Sequence, residues 1–114
     1  MSVRLEPFAA ALAGLVIAAS AASANGPAAQ RGFVLARTHC GSCHALDRVS
    51  PSPLAIAPPF RDLHRRYPVE NLAESLAEGI VTGHPTMPQF RLEPDQIDNF
   101  IAFLKTFERR RPRR

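Results

Sequence analysis

Five consecutive residues constrain what this chain can fold into more than any other feature of it. Cys40-Gly41-Ser42-Cys43-His44 has the form C-x-x-C-H. At this spacing two thiols can bond to the two vinyl groups of one porphyrin, and the imidazole that follows can ligate the iron. The motif therefore predicts one covalently attached haem c, with thioether bonds at Cys40 and Cys43 and with His44 as the proximal iron ligand.

Other uses of two closely spaced cysteines fit less well. The chain has only 2 cysteines, whereas a structural zinc site would need a second pair of ligands. A redox-active dithiol of the thioredoxin kind would need a βαβ pattern around it, and no alternating strand pattern is visible. These comparisons favour haem attachment.

Residues 1–24 have the pattern of a secretory signal peptide. Arg4 precedes an almost wholly apolar run from Phe8 to Ala22, and Ala22-Ser23-Ala24 is a typical cleavage site. The run is shorter than the roughly 20 residues that span a bilayer. We predict a cleaved signal and a periplasmic protein, with an uncleaved N-terminal membrane anchor as the alternative.

The remaining chain divides into one small domain, residues 25–108, and a basic tail, residues 109–114. The domain is slightly acidic, so the net charge of +4 depends on the tail. We expect the tail to be a disordered, solvated end, or to contact an anionic membrane or an acidic partner. Nucleic acid is not an expected partner. The tail's cationic residues are Arg109, Arg110, Arg111, Arg113 and Arg114.

Helical periodicity runs through the domain and predicts an all-α fold with two long loops. Pro27 suits the first turn of one helix and Pro94 opens the last, which has apolar residues at i, i+3, i+4 and i+7. Prolines place a loop at residues 49–59, and glycine with proline places a second at 80–92. The predicted helices are 27–38, a short one at 60–67, 69–78, and one that opens at 94.

The second loop contains the candidate for a second axial ligand. Met87 is the only methionine outside residues 1–24, and it lies in Thr86-Met87-Pro88, where no apolar helix face explains it. A thioether is a common haem ligand, so we predict Met87 as the distal ligand. His84 is the alternative; His39 is badly placed to reach the iron, and His64 is expected at the surface.

A proximal histidine needs its second ring nitrogen held by a hydrogen bond. Backbone carbonyls of the first proline loop suit this task, and either Pro58 or Pro59 could provide one.

Taken together, the residues from 25 to 108 resemble the small bacterial class I cytochromes c. Besides the haem motif, Ala57-Pro58-Pro59-Phe60 resembles the family's Gly-Pro-x-Leu segment, and Thr86-Met87-Pro88 resembles its distal methionine loop. The resemblance implies a helical fold wrapped around one haem. It also implies that Pro58 is the carbonyl partner of His44.

The resemblance extends to the contact between the first and last helices. Gly32 lies eight residues before Cys40, as does the family's glycine at this crossing, and Phe103-Leu104 resembles the aromatic-Leu pair that meets it. The chain departs from the family at Ala57, where glycine is usual, and at Ala36, where an aromatic residue is usual. Phe33 or Phe100 is expected to fill the space beside Ala36.

The function that the resemblance implies is single-electron transfer between redox proteins of a respiratory or related chain. No acid–base pair or nucleophile is evident, so an enzyme is not expected. One alternative is a cytochrome subunit of a dehydrogenase or oxidase complex. Another is a haem-based peroxidase or gas-binding protein, in which Met87 would be a weak or displaced ligand.

Overall fold

The computed structural model describes residues 2–4, 10–16, 26–81 and 86–108. In these ranges the only extended pairing is an isolated antiparallel bridge between Ile80 and Phe90. No described helix is both long and apolar enough to cross a membrane. The predicted all-α class is confirmed, and the helices are α1 (Pro27–His39), α2 (Leu63–Arg66), α3 (Leu72–Glu78) and α4 (Pro94–Lys105). A single 3-10 turn precedes each of α2 and α3, at Phe60–Asp62 and Val69–Asn71.

Both long helices start where the prolines predict. Proline occupies the first turn of α1 and of α4, where its missing N–H costs no hydrogen bond. At α4 the Glu93 side chain accepts from the backbone N–H of Gln96, and the Gln96 side chain accepts from the Glu93 N–H 3.0 Å away. This reciprocal capping satisfies two donors that the helix start would otherwise leave unpaired.

The first and last helices cross at Gly32, as expected. A Cβ atom on Gly32 would lie 1.9 Å from the carbonyl oxygen of Asn99 and 2.8 Å from the Cβ of Phe103. Only glycine therefore allows the two backbones to approach this closely. Phe100, Phe103 and Leu104 of α4 are all buried.

The core lies between this crossing and the shorter helices. Phe60 and Leu63 from the α2 region and Leu76 from α3 pack with α4 in one cluster. Leu72 is half-buried against the same cluster, so α3 turns both of its leucines, Leu72 and Leu76, toward the core. Gly79 ends α3 at φ +103°, a backbone conformation that residues with a Cβ atom rarely adopt.

The two aromatic candidates beside Ala36 have different roles. Ala36 is fully buried. The ring of Phe33 packs edge-on against Phe103, with 5.5 Å between centroids, whereas Phe100 packs edge-on against Phe60 at 5.8 Å. Phe33 thus borders the helix crossing, and Phe100 faces the other side of the core.

The expectation that His64 lies at the surface is wrong. The residue is half-buried, and its Nδ1 is buried without a hydrogen-bond partner in the described part of the chain. The neighbouring arginines suggested a solvated helix, but four residues of α2 make barely one turn. One side of such a turn must face the core, which here also buries Leu63.

Three predictions fall on residues outside the described ranges. They are the signal cleavage site at Ala22-Ser23-Ala24, the alternative ligand His84, and the arginine tail 109–114.

Candidate functional site

A cavity of about 340 Å³ opens between the end of α1, the loop that follows it, α2, α3 and the second loop. Its volume is in the range of protein sites for small organic cofactors. Cys40, Cys43, His44 and Met87 all line it, and its described lining residues include no carboxylate. Most of the wall is apolar: Leu35, Leu54, Ile56, Ala57, Phe60, Leu63, Leu72, Leu76, Ile80, Phe90, Leu92 and Phe100.

The C-x-x-C-H segment is a tight turn built directly on the end of α1. The backbone N–H groups of Cys40 and Gly41 both donate to the carbonyl of Ala36, at 2.7 and 3.0 Å. The N–H groups of Cys43 and His44 both donate to the carbonyl of Cys40, at 3.2 and 2.9 Å. This winding brings two thiols and an imidazole to the same cavity wall.

The Cys40 thiol lies in an apolar environment. Burial, and secondarily the nearby Cys43 side chain, raises the pKa of the Cys40 thiol to about 11. Cys40 therefore stays protonated at neutral pH in an apolar environment, as expected for a group that faces the cavity.

His44 is held from two sides. Its Nδ1 lies 2.8 Å from the carbonyl oxygen of Pro58, and its ring centroid lies 4.9 Å from that of Phe60. A carbonyl can only accept, so the proton is on Nδ1 and the lone pair is on Nε2, the nitrogen free to bind a metal. Between the two carbonyls that the sequence left open, the structure selects Pro58.

The loop that carries Pro58 is fastened to the haem motif at several points. Leu54 N–H donates to Cys43 O at 3.1 Å, and Phe60 N–H donates to Ala45 O at 3.0 Å. Arg61 donates to the carbonyl of Ser50 at 2.7 Å. These bonds close the loop upon itself and fix where the Pro58 carbonyl points.

Met87 reaches the same cavity from the second loop. It is half-buried, and the loop is closed at its base. There Ile80 N–H donates to Phe90 O at 2.9 Å, and Arg91 Nε donates to Ala77 O at 3.0 Å. The structure thus brings together all five residues predicted for the site, with Pro58 behind His44.

Sequence reasoning missed two polar residues at the cavity. Arg66 and Tyr67, at the end of α2, line it, and Arg66 is the only Lys or Arg among its described lining residues. Burial raises the pKa of the Tyr67 phenol, so it stays a neutral hydrogen-bonding group. No local pattern marked these two residues. His39, which the sequence analysis considered badly placed to reach the iron, also lines the cavity, and its ring lies 6.0 Å from Phe90.

The donor set fits a covalently bound iron porphyrin. Two thiols at the motif spacing, one imidazole with a free Nε2 and one thioether face a wide apolar cavity, which suits a large flat macrocycle with two axial positions on its iron.

Comparison with known proteins agrees with this geometry. Neither the curated proteins nor the solved structures include a significant match to the chain. The family model described as cytochrome c, however, matches residues 29–108, a range that includes the whole cavity. The chain therefore belongs to the cytochrome c family, whose members bind haem c covalently and generally carry electrons.

Proposed function

We propose that this chain is a periplasmic monohaem cytochrome c that passes single electrons between redox proteins. The observation that supports this most is the cavity itself. It contains both motif thiols, a histidine whose Nδ1 is bonded to Pro58, and a methionine from a separate loop. In this proposal Cys40 and Cys43 hold the porphyrin, and His44 and Met87 are the proximal and distal iron ligands.

The chain's contribution to electron transfer is to keep the two ligands in place. The haem iron, when bound, supplies the chemistry by alternating between Fe(III) and Fe(II). The Pro58 carbonyl fixes the tautomer and orientation of His44, and the fastened loop keeps that carbonyl still. A thioether ligand at Met87 raises the reduction potential, and the apolar wall limits water at the site.

The covalent attachment is tested by removing the thiols. We expect mature wild-type protein to retain the mass of one haem after denaturation, and Cys40→Ala/Cys43→Ala to release all of its haem into acidified organic solvent. Each single variant should keep one thioether bond. Mass spectrometry of the denatured proteins measures this, and wild-type haem that extracts freely would contradict the proposal.

Arg66 and Tyr67 are the residues that would hold the two carboxylates of the porphyrin. A cation beside the site favours the Fe(II) state, because it offsets the charge of one porphyrin carboxylate, which would otherwise stabilise Fe(III). We therefore expect Arg66→Gln to lower the reduction potential by roughly tens of millivolts, and Arg66→Lys to restore most of it. Spectroelectrochemical titration measures the shift.

Arg65→Gln is the matched control for this prediction. It removes the same charge from the adjacent position, where Arg65 pairs with Asp62 at 3.4 Å and does not line the cavity. An equal shift in the Arg65 and Arg66 variants would show that only the net charge matters.

Two alternatives give different results with the holoprotein. A peroxidase or gas-binding protein would bind carbon monoxide in the reduced state at neutral pH, whereas a firmly bound Met87 excludes it. A subunit of a dehydrogenase or oxidase complex would co-purify with that complex from membranes. A shuttle is expected to do neither and to exchange electrons reversibly without turnover of substrate.

In this proposal the protein is exported and its signal peptide is cleaved. N-terminal sequencing of the exported protein should begin near Asn25 if the signal is cleaved, and at Met1 if it remains as an anchor.

The arginines of the tail are proposed to increase the rate of encounter with an anionic membrane or an acidic partner without altering the haem.

A further inference from the structure

The outer side of α1 carries arginines around exposed apolar side chains, and Arg48, from the loop after the haem motif, extends this surface to the end of α4. Phe33 is 36% exposed and Val34 is 50% exposed. Helix α1 contains no acidic residue. We call this surface the basic face and define it by Arg31, Phe33, Val34, Arg37 and Arg48.

Aromatic stacking joins the two parts of the basic face. The Phe33, Phe103 and Phe107 rings form a row, with 5.5 and 5.4 Å between successive centroids. The Arg37 guanidinium lies 5.7 Å from the first ring of the row, and that of Arg48 lies 5.4 Å from the last. The arginines at the two ends are thus fixed parts of one folded surface.

None of the arginines of this surface forms an ion pair in the described part of the chain. The ion pairs there are Arg65 with Asp62 and Lys105 with Glu70, neither of which involves the basic face. A shallow groove beside Arg31 and Val34 is bordered on α4 by the neutral residues Gln96 and Asn99. The described residues that line it include no carboxylate.

The segments that carry this face border, in sequence, the apolar N-terminal run and the arginine tail. Helix α1 begins at Pro27, shortly after the apolar N-terminal run, and Phe107 of the aromatic row lies two residues before the arginine tail. The haem cavity lies elsewhere, since none of the five residues of the basic face lines it.

We propose that the basic face rests on an anionic lipid bilayer while the haem cavity stays open to redox partners. Arginines attract anionic headgroups, and exposed Phe and Val side chains can enter the boundary between headgroups and acyl chains. A lipid surface is favoured over an acidic protein because the exposed apolar side chains of Phe33 and Val34 lie among the arginines, a combination that suits the boundary between headgroups and acyl chains. This inference goes beyond electron transfer and does not depend on the tail.

The test measures binding of the haem-loaded protein to vesicles by co-sedimentation. We expect binding to phosphatidylcholine mixed with phosphatidylglycerol and none to phosphatidylcholine alone. Each arginine near an anionic surface contributes about 1 kcal/mol, so Arg31→Gln/Arg37→Gln should bind roughly 30-fold more weakly. Neither side chain donates a hydrogen bond to another described residue, and an unchanged haem spectrum and potential verifies that the variant is folded.

The matched control is Arg65→Gln/Lys105→Gln, which has the same net charge. Arg65 and Lys105 form ion pairs with Asp62 and Glu70, away from the basic face and the haem cavity, so this variant should bind within about threefold of wild type. Val34→Ser, which keeps the charge, should lose the part of the binding that survives high salt. The difference between the two double variants should persist when residues 109–114 are deleted.

Three outcomes would overturn the proposal. Equal weakening by both double variants would mean that only net charge acts. Unchanged binding of Arg31→Gln/Arg37→Gln, with loss on deletion of the tail, would assign all binding to the tail. Wild-type protein that fails to bind the anionic vesicles would exclude lipid and leave an acidic protein as the partner.

Discussion

Met87→Ala is expected to abolish the weak absorption band of ferric haem near 700 nm, which is characteristic of a methionine sulfur ligand. The reduction potential should fall by on the order of 100 mV, since axial ligands and their surroundings move haem potentials over about 0.8 V. The physical reason is that the thioether is a soft, neutral donor that favours Fe(II) over Fe(III). Absorption spectroscopy and redox titration of the holoprotein measure both effects.

A second substitution makes this result specific to the ligand. Met87→His should keep six-coordinate haem yet also lack the band and have a lower potential than wild type, because imidazole is the stronger donor to Fe(III). A band that survives in Met87→Ala would contradict the assignment. A wild-type protein without the band would instead move the role to another residue, and His84→Ala would then be the next variant to measure.

Gly32→Ala is expected to destabilise the protein strongly, although it adds only one methyl group. Helix propensity alone predicts a gain of roughly 0.5–1 kcal/mol from this change. The added Cβ would, however, lie 1.9 Å from the Asn99 carbonyl oxygen and 2.8 Å from the Phe103 Cβ. Backbone cannot move aside as a flexible side chain can, so α1 and α4 must separate. Overpacking of this kind costs about 3 kcal/mol or more, and for a domain of this size Tm should fall by roughly 10–20 °C.

Gln30→Ala is the control for this prediction, since Gln30 is exposed on the same helix and alanine favours helix there. It should leave Tm nearly unchanged. Thermal unfolding of the holoproteins, followed by circular dichroism, makes the comparison. If Gly32→Ala were as stable as the wild type, the two helices would not approach each other in solution as closely as they do in the structure.

The basic face illustrates what local sequence does not reveal. Phe33 and Phe107 are separated by most of the domain, and their rings are joined only through Phe103. Arg48 follows the haem motif, yet its guanidinium donates to the carbonyl of Thr106 at the end of α4. Along the chain, the most obvious positive cluster is the tail. The arginines of the basic face are separated in sequence and lie on one surface only after folding.

What the sequence determined by itself is the part governed by short-range geometry. The spacing of Cys40, Cys43 and His44 specified the haem motif, and Pro27 and Pro94 marked the starts of the long helices, because each depends on a few neighbouring residues. The tertiary structure decided which carbonyl holds His44, that Arg66 and Tyr67 line the cavity, and that His64 is half-buried. These features depend on how the loops close and how α2 turns toward the core, which the packing of distant residues sets.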